Sequence, residues 1–294
     1  MIRLSVNVNK VATIRNARGG RVPSVLDAVR VCVDAGAPGI TVHPRRDARH
    51  ITTADVREIG HELSTLETAS ADDPPPLASH GAASHGGVSP KRPDAQKADR
   101  RQTADRERPG AGRKGVEYNI EGDPRPDLID LVLEVRPHQC TLVPVRPGEI
   151  TSQAGWPSNT PRDELGRIVA ALKAAGVRVS MFVDPVADRI HWARDVGADR
   201  VELYTEPFAR AFEQGGSATE ASFRTYANAA DLAHDLGLGI NAGHDLDLKN
   251  LTRFRALPYL DEVSIGHALI SHALFVGLRR AVRDYLTAVE SPVA

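Results

Sequence analysis

Four short stretches repeat one local pattern and limit what this chain can fold into. Asp34-Ala35-Gly36-Ala37, Ala174-Ala175-Gly176-Val177, Asp195-Val196-Gly197-Ala198 and Asp235-Leu236-Gly237-Leu238 each end a helix-like run on a glycine and pass straight into a strand-like one. A glycine just past the last helical residue stops a helix because it takes a left-handed backbone without steric cost. Strand patterns fall at 3–9, 40–43, 115–120, 139–143, 178–183, 200–204, 239–242 and 262–265, with helical patterns between them. Pro23 opens one such helix, with Val25, Leu26, Val29, Cys32 and Val33 on one face, and Thr53-Ala54-Asp55 caps another that reaches about Leu63. Recurrent βα units with right-handed crossovers, eight in number, predict a (β/α)8 TIM barrel. The alternative is a doubly wound open sheet, although no Gly-x-Gly-x-x-Gly follows the first strand.

Between the second and third strands the composition collapses. From 69 to 115 the only large aliphatic residues are Leu77 and Val88, and no Phe, Trp or Tyr occurs. Such a segment buries too little apolar surface to offset its ordering entropy. The expected organisation is one barrel domain over 1–294, with 69–115 as a disordered Pro/Gly/charged insertion. The second half of that stretch is basic, which reads as a solvated loop before it reads as a nucleic-acid contact. The insertion follows a helix, so barrel topology brings it out at the face away from the strand C-termini.

Charge is balanced, 37 Lys and Arg against 38 Asp and Glu, and calls for neither nucleic acid nor membrane as a partner. Cys32 and Cys140 fall in a helix and a strand and read as small core residues. The first ten residues enter an alternating strand without a secretory apolar region, and no apolar run reaches membrane-spanning length. The expected location is the cytoplasm.

In a barrel of this kind, chemistry gathers at the C-terminal ends of the strands. Reading those ends gives Asn7, Asn9, His43, Glu121, Thr151 in a loop, Asp184, Glu202, His244 and His267. Each has a plain alternative: His43 as a hydrogen-bonded core histidine, Glu121 as a partner of Arg125, Asp184 as a helix cap. Their coincidence at one mouth is the signal. Arg15 to Gly20 reads as a mobile cationic loop. Gly266-His267, between the last strand and a helix, offers backbone N–H groups to an anion. Arg18, Arg45, Arg49 and His50 offer a second anion site. Two anion sites flanking Glu and His point to joining or splitting two phosphorylated small molecules. No His-x-His or His-Glu-x-x-His pair is present to hold a metal ion.

The long motifs V6NVNKVATIRNARG19, G39ITVHPR45, R49HIT52, N241AGH244 and I265GHA268 resemble the pyridoxine 5′-phosphate synthase family over nearly the whole chain outside 69–115. That resemblance implies a (β/α)8 barrel condensing 3-amino-2-oxopropyl phosphate with 1-deoxy-D-xylulose 5-phosphate to pyridoxine 5′-phosphate, phosphate and water. It implies no cofactor and no metal, and a homo-oligomer, often an octamer. It assigns proton acceptance to His43 and Glu121 and proton donation to His244. It places the aminoketone phosphate on Asn7, Gly266 and His267, and the deoxyxylulose phosphate on Arg18, Arg45, His50 and Thr151. The chain departs from the family at Asn9 and Lys10, where Asp-His is commoner, and at Asp245, where glycine is. Asn9, Lys10 and Asp245 are carried as substrate-contact positions, and an inward Asp245 carboxylate would oppose a phosphate.

Two other readings stay open on sequence. A sugar-phosphate aldolase of the Schiff-base kind needs a lysine at a strand end, and none beyond Lys10 is present. A non-catalytic phosphate-binding relative has no need for His43, Glu121 and His244 together.

Overall fold

The computed structural model describes residues 1–71, 115–144 and 154–291. Eight parallel strands close into a barrel in sequence order: β1 (Arg3–Asn7), β2 (Gly39–Val42), β3 (Glu117–Gly122), β4 (Gln139–Leu142), β5 (Arg178–Val183), β6 (Arg200–Tyr204), β7 (Gly239–Gly243) and β8 (Leu260–Ile265). β8 pairs with β1 through Arg3 opposite Glu262 and Val6 opposite Ile265, which seals the ring. Around it run α1 (Asn9–Asn16), α2 (Val25–Asp34), α3 (Thr53–Ala71), α4 (Pro126–Val135), α5 (Arg162–Ala174), α6 (Ala187–Val196), α7 (Glu206–Gln214), α8 (Gly216–Asp235), α9 (Leu251–Phe254), α10 (His267–Val276) and α11 (Leu278–Glu290). The TIM barrel is the architecture that the repeating βα pattern predicts.

The four repeated junctions carry out the turn expected of them. Gly36, Gly176, Gly197 and Gly237 all have positive φ, between 76° and 103°. The next residue bonds back to the carbonyl five positions earlier: Ala37 to Cys32, Val177 to Leu172, Ala198 to Ala193 and Leu238 to Ala233. This closure satisfies helix-end carbonyls and drops a buried side chain onto the start of the following strand.

Three expectations change. The first strand stops at Asn7, because the Asn9 N–H turns back to Asn7 Oδ1 (3.1 Å) and α1 begins. Arg15 and Asn16, expected in a mobile loop, lie in α1; Arg15 is forked onto Asp55, and both bond the His50 carbonyl. The final helix divides into α10 and α11 at Gly277. α7 has no counterpart among the expected elements, although Pro207 near its start and Phe208 and Phe212 one turn apart mark it. The expected insertion lies almost wholly outside the described residues; its flanks are α3, which ends at Ala71, and β3.

The strand residues that face the helices are apolar: Leu4, Val6, Ile40, Val42, Ile120, Leu142, Val179, Met181, Val201 and Val263 are fully buried. The alternate positions are polar and face one another inside the barrel. Asn241 on β7 reaches Gln139 on β4 (3.3 Å), and Arg178 on β5 reaches Glu117 on β3, contacts that only the barrel interior permits. Ser5 and Thr41 are 2.6 Å apart, and Thr141 donates to Asn119, which donates to Thr41. Most barrels of this class fill the interior with Val, Ile and Leu. Here hydrogen bonds offset the cost of burying polar groups.

Two carboxylates sit deep in this interior. Burial, and then the neighbouring Glu262, push Glu202 up to about 8. Burial pushes Glu262 itself up to about 7, against the pull of Arg3 and Arg200. From the ordinary value of 4.5 up to about 8, the folded barrel keeps protons that the unfolded chain releases, so this pair's contribution to stability falls as pH rises. Buried His43 and His50, held neutral in the fold, pull the other way, and their effect fades above the ordinary value of 6.5, so urea midpoints are expected to decline from about pH 7 to 8. Glu202→Gln is expected to flatten that decline, and an unchanged slope would remove Glu202 as its source.

Candidate active site

Each strand end contributes to the mouth. β2 passes into His43-Pro44, and the proline prevents further pairing. The buried His43 places Nδ1 3.8 Å from Glu121 Oε2 on β3. Asn7 Nδ2 reaches the same carboxylate oxygen from β1 (3.4 Å). Burial, and then the cations around it, pull His43 down to about 3, so its imidazole is neutral at physiological pH. Its Nε2 is buried and has no hydrogen-bond partner among the described residues. Burial, and then Glu202 beneath it, raise the Glu121 carboxyl well above its ordinary value, with a Ser264 hydrogen bond opposing. Glu202 is therefore an interior neighbour of the site, buried in the body of β6.

The loop after β2 brings the cations. Arg45 lies beside Asp47 (3.8 Å), and Arg49 pairs with the same carboxylate at 2.5 Å. His50 is buried, accepts the Ile51 N–H on Nδ1 (3.0 Å) and meets the His43 ring edge-on at 6.1 Å. Burial, then Arg45 and Lys10, lower it to about 4. Lys10 lies in the first turn of α1, and Arg18 is exposed just beyond that helix. Arg15 thus ties α1 to the His50 carbonyl and to Asp55. Thr151 lies outside the described residues.

The opposite wall is β7, four strands from β3 in a ring of eight. A Cβ on Gly243 would overlap Glu202 Oε1, so only glycine lets the strand end close over that carboxylate. His244 and Asp245 follow with φ of 86° and 57°, a conformation that costs energy outside glycine. Thr205 Oγ1 holds them by donating to the carbonyls of Gly243 (2.8 Å) and His244. The His244 ring packs edge-on to Tyr204 at 5.4 Å and near Phe182 at 6.4 Å. Asp245 Oδ2 sits 2.9 Å from His244 Nδ1, and that hydrogen bond holds its carboxyl below the usual range. The Asp245 carboxylate is thus committed to His244.

Gly266 caps α10 and His267 begins it, exposed at the mouth. Gly266 packs flat on Asn7, where a Cβ would come within 3.1 Å of the Asn7 side chain. Asp184, expected at a strand end, pairs with Arg189 (2.6 Å) and accepts from Gly155 N. It anchors the segment that returns to β5. Arg125, which gave no functional signal in the sequence, is buried behind His43 and donates to the Pro44 carbonyl (2.6 Å). Among the described residues no three His, Cys, Asp or Glu side chains group to hold a metal ion.

A closed parallel barrel with paired acid–base groups at its strand C-termini and cations beside them defines a TIM-barrel enzyme. Solved structures agree on the fold: a thiamine phosphate pyrophosphorylase from Pyrococcus furiosus superposes with TM-score 0.52 at 12% identity, covering 98% of this chain and 96% of that one. The family described as "Pyridoxal phosphate biosynthesis protein PdxJ" matches residues 4–73 and 92–291, and the chain belongs to that enzyme family. The pyridoxine 5′-phosphate synthase of Christiangramia forsetii is 46% identical over 287 residues, covering 97% of this chain and 98% of the relative. That of Porphyromonas gingivalis is 44% identical over 286 residues, again covering 97% and 98%.

The family match passes over 74–91, within the stretch that is poor in apolar residues. Deleting 74–91 is expected to leave the thermal midpoint and turnover close to those of the full chain. A folded but inactive deletion variant would tie this stretch to the site.

Proposed function

We propose that this protein is a pyridoxine 5′-phosphate synthase, condensing 3-amino-2-oxopropyl phosphate with 1-deoxy-D-xylulose 5-phosphate to pyridoxine 5′-phosphate, phosphate and water. The observation that carries the reading is the opposition of two walls: neutral His43 with Glu121 on one, and the His244–Asp245 pair on the other. Ring closure requires repeated proton removal and delivery around one bound intermediate, and groups on opposite walls reach both of its faces.

His43 and Glu121 accept protons. The raised affinity of Glu121 makes it a stronger base than an exposed carboxylate. His43 offers a neutral Nε2 that has no partner among the described residues. His244 donates; Asp245 takes its Nδ1–H and leaves Nε2 for the leaving hydroxyl. The aminoketone phosphate rests on Asn7 and on the amide end of α10 at Gly266-His267, where the helix dipole favours an anion. The deoxyxylulose phosphate rests on Arg18, Arg45, His50 and Thr151, with Lys10 added in this chain. These cations stabilise the phosphate as it departs. Among the described residues no inward strand position is lysine, which disfavours a Schiff-base aldolase.

The same reading places the enzyme in the cytoplasm as a homo-oligomer, on the family's pattern an octamer. No described helix is long and apolar enough to cross a membrane, and both cysteines are free and buried, as suits a reducing compartment. Leu274, Phe275 and Val276, 70%, 89% and 42% exposed at the end of α10, form an apolar patch that a second copy would cover. Phe275→Asp is expected to lower the mass measured by light scattering, and an unchanged mass would move the interface elsewhere.

Purified protein given both phosphates is expected to release pyridoxine 5′-phosphate and inorganic phosphate together. Glu121→Gln should keep fold and binding while kcat drops about a hundredfold or more. Near-normal turnover in that variant would remove Glu121 from the mechanism.

A further inference from the structure

We propose that Asn9 and Arg125 are positioning residues that hold the backbone on both sides of His43, at its own N–H and at the carbonyl of Pro44, and so keep its imidazole in register with Glu121. The inference rests on the reading of His43 as a proton acceptor. It reassigns Asn9, which the family resemblance places on substrate.

The contacts form a closed circuit through three strand ends. The His43 N–H donates to Asn9 Oδ1 at 2.9 Å. The Asn9 N–H donates to Asn7 Oδ1 at 3.1 Å, and Asn7 Nδ2 donates to Glu121 Oε2 at 3.4 Å. Glu121 Oε2 then faces His43 Nδ1 at 3.8 Å, returning to the start. On the far side of the imidazole, Arg125 Nη2 donates to the Pro44 carbonyl at 2.6 Å. Arg125 is itself fixed by Asp123 and, at 3.1 Å, by Asp127. β2 ends at Val42, so no ladder bond holds the His43 peptide beyond this point. Side chains from the β1–α1 and β3–α4 junctions take over where the ladder stops.

The chemistry explains a change of residue type at position 9. The task there is to accept one backbone N–H, and an amide oxygen does it as a carboxylate does. Asparagine also spares a negative charge beside Glu121. Arg125 uses its fork: three separate nitrogens serve the Pro44 carbonyl, Asp123 and Asp127, a spread that the single nitrogen of a lysine does not offer.

Three measurements test this. In the wild type, the His43 amide is expected to be protected from hydrogen exchange, and Asn9→Ala to lose about tenfold or more of that protection. In steady-state kinetics, Asn9→Ala and Arg125→Lys are expected to lower kcat by about tenfold to a hundredfold, since small misplacements of a reacting group cost that much. KM for either phosphate should stay within about threefold, and Asn9→Asp, which keeps the acceptor, should recover most of the loss. By NMR, Arg125→Gln is expected to raise the titration midpoint of the His43 ring. The groups facing that ring are His50, Arg45 and Asp47 from its own loop, Glu121 and Arg125 from β3 and its loop, and Asn7 and Asn9 from β1 and α1.

Wild-type kcat in folded Asn9→Ala, or a defect confined to KM, overturns the proposal and returns Asn9 to the substrate site. An unprotected His43 amide in the wild type overturns it without any variant. A folded wild type that makes no pyridoxine 5′-phosphate would defeat the synthase reading instead, and the exchange and titration results would then decide the clamp alone.

Discussion

A parallel barrel with a polar interior depends on its inward groups finding partners across the lumen. The ladder fixes which residues face inward, and the interior then has to be satisfied by side chains from strands that are not neighbours. Asn241 with Gln139, Arg3 and Arg178 with Glu117, and Asn7 with Glu121 do this. Leaving a polar group unpaired there would cost more than a typical hydrogen bond gains. The groups proposed for the site on β1 and β3, Asn7 and Glu121, join the top of this same network.

The electrostatics of the mouth follow from that placement. Glu121 stands above Glu202 and Glu262, and three acids in one dry column resist ionising together. His43 and His50 stand among Arg45, Arg125 and Lys10, and resist protonation. The result is a carboxyl with raised proton affinity beside a neutral imidazole, each set by burial first and by neighbours of like charge second. On the other wall, His244 is less enclosed and has a carboxylate partner. Two histidines in one mouth thus meet different surroundings.

Much of the site was legible in the chain. His43 after Ile40-Thr41-Val42, Glu121 after Ile120, and His244 after Asn241-Ala242-Gly243 stand where strands end, and strand ends can be read from periodicity. The polar alternation of Arg3, Ser5 and Asn7 or of Arg200 and Glu202 was also present, but the face it marks was not. In a parallel sheet both faces are buried, so alternation does not tell solvent from lumen. Arg125 and Asn9 were opaque for another reason. Their partners are backbone groups 81 and 34 positions away, and no local spacing encodes such a contact.

The sequence by itself determined the eight-strand count and order, the four glycine turns and the titratable residues at the strand ends, because these depend on neighbours within a few positions. Tertiary structure alone decided that Arg15 belongs to an ordered α1, that Asp184 braces a loop, and that Asp245 turns to His244. It also decided which way each proton affinity shifts. Burial and through-space charge set those, and both exist only once distant segments have been brought together.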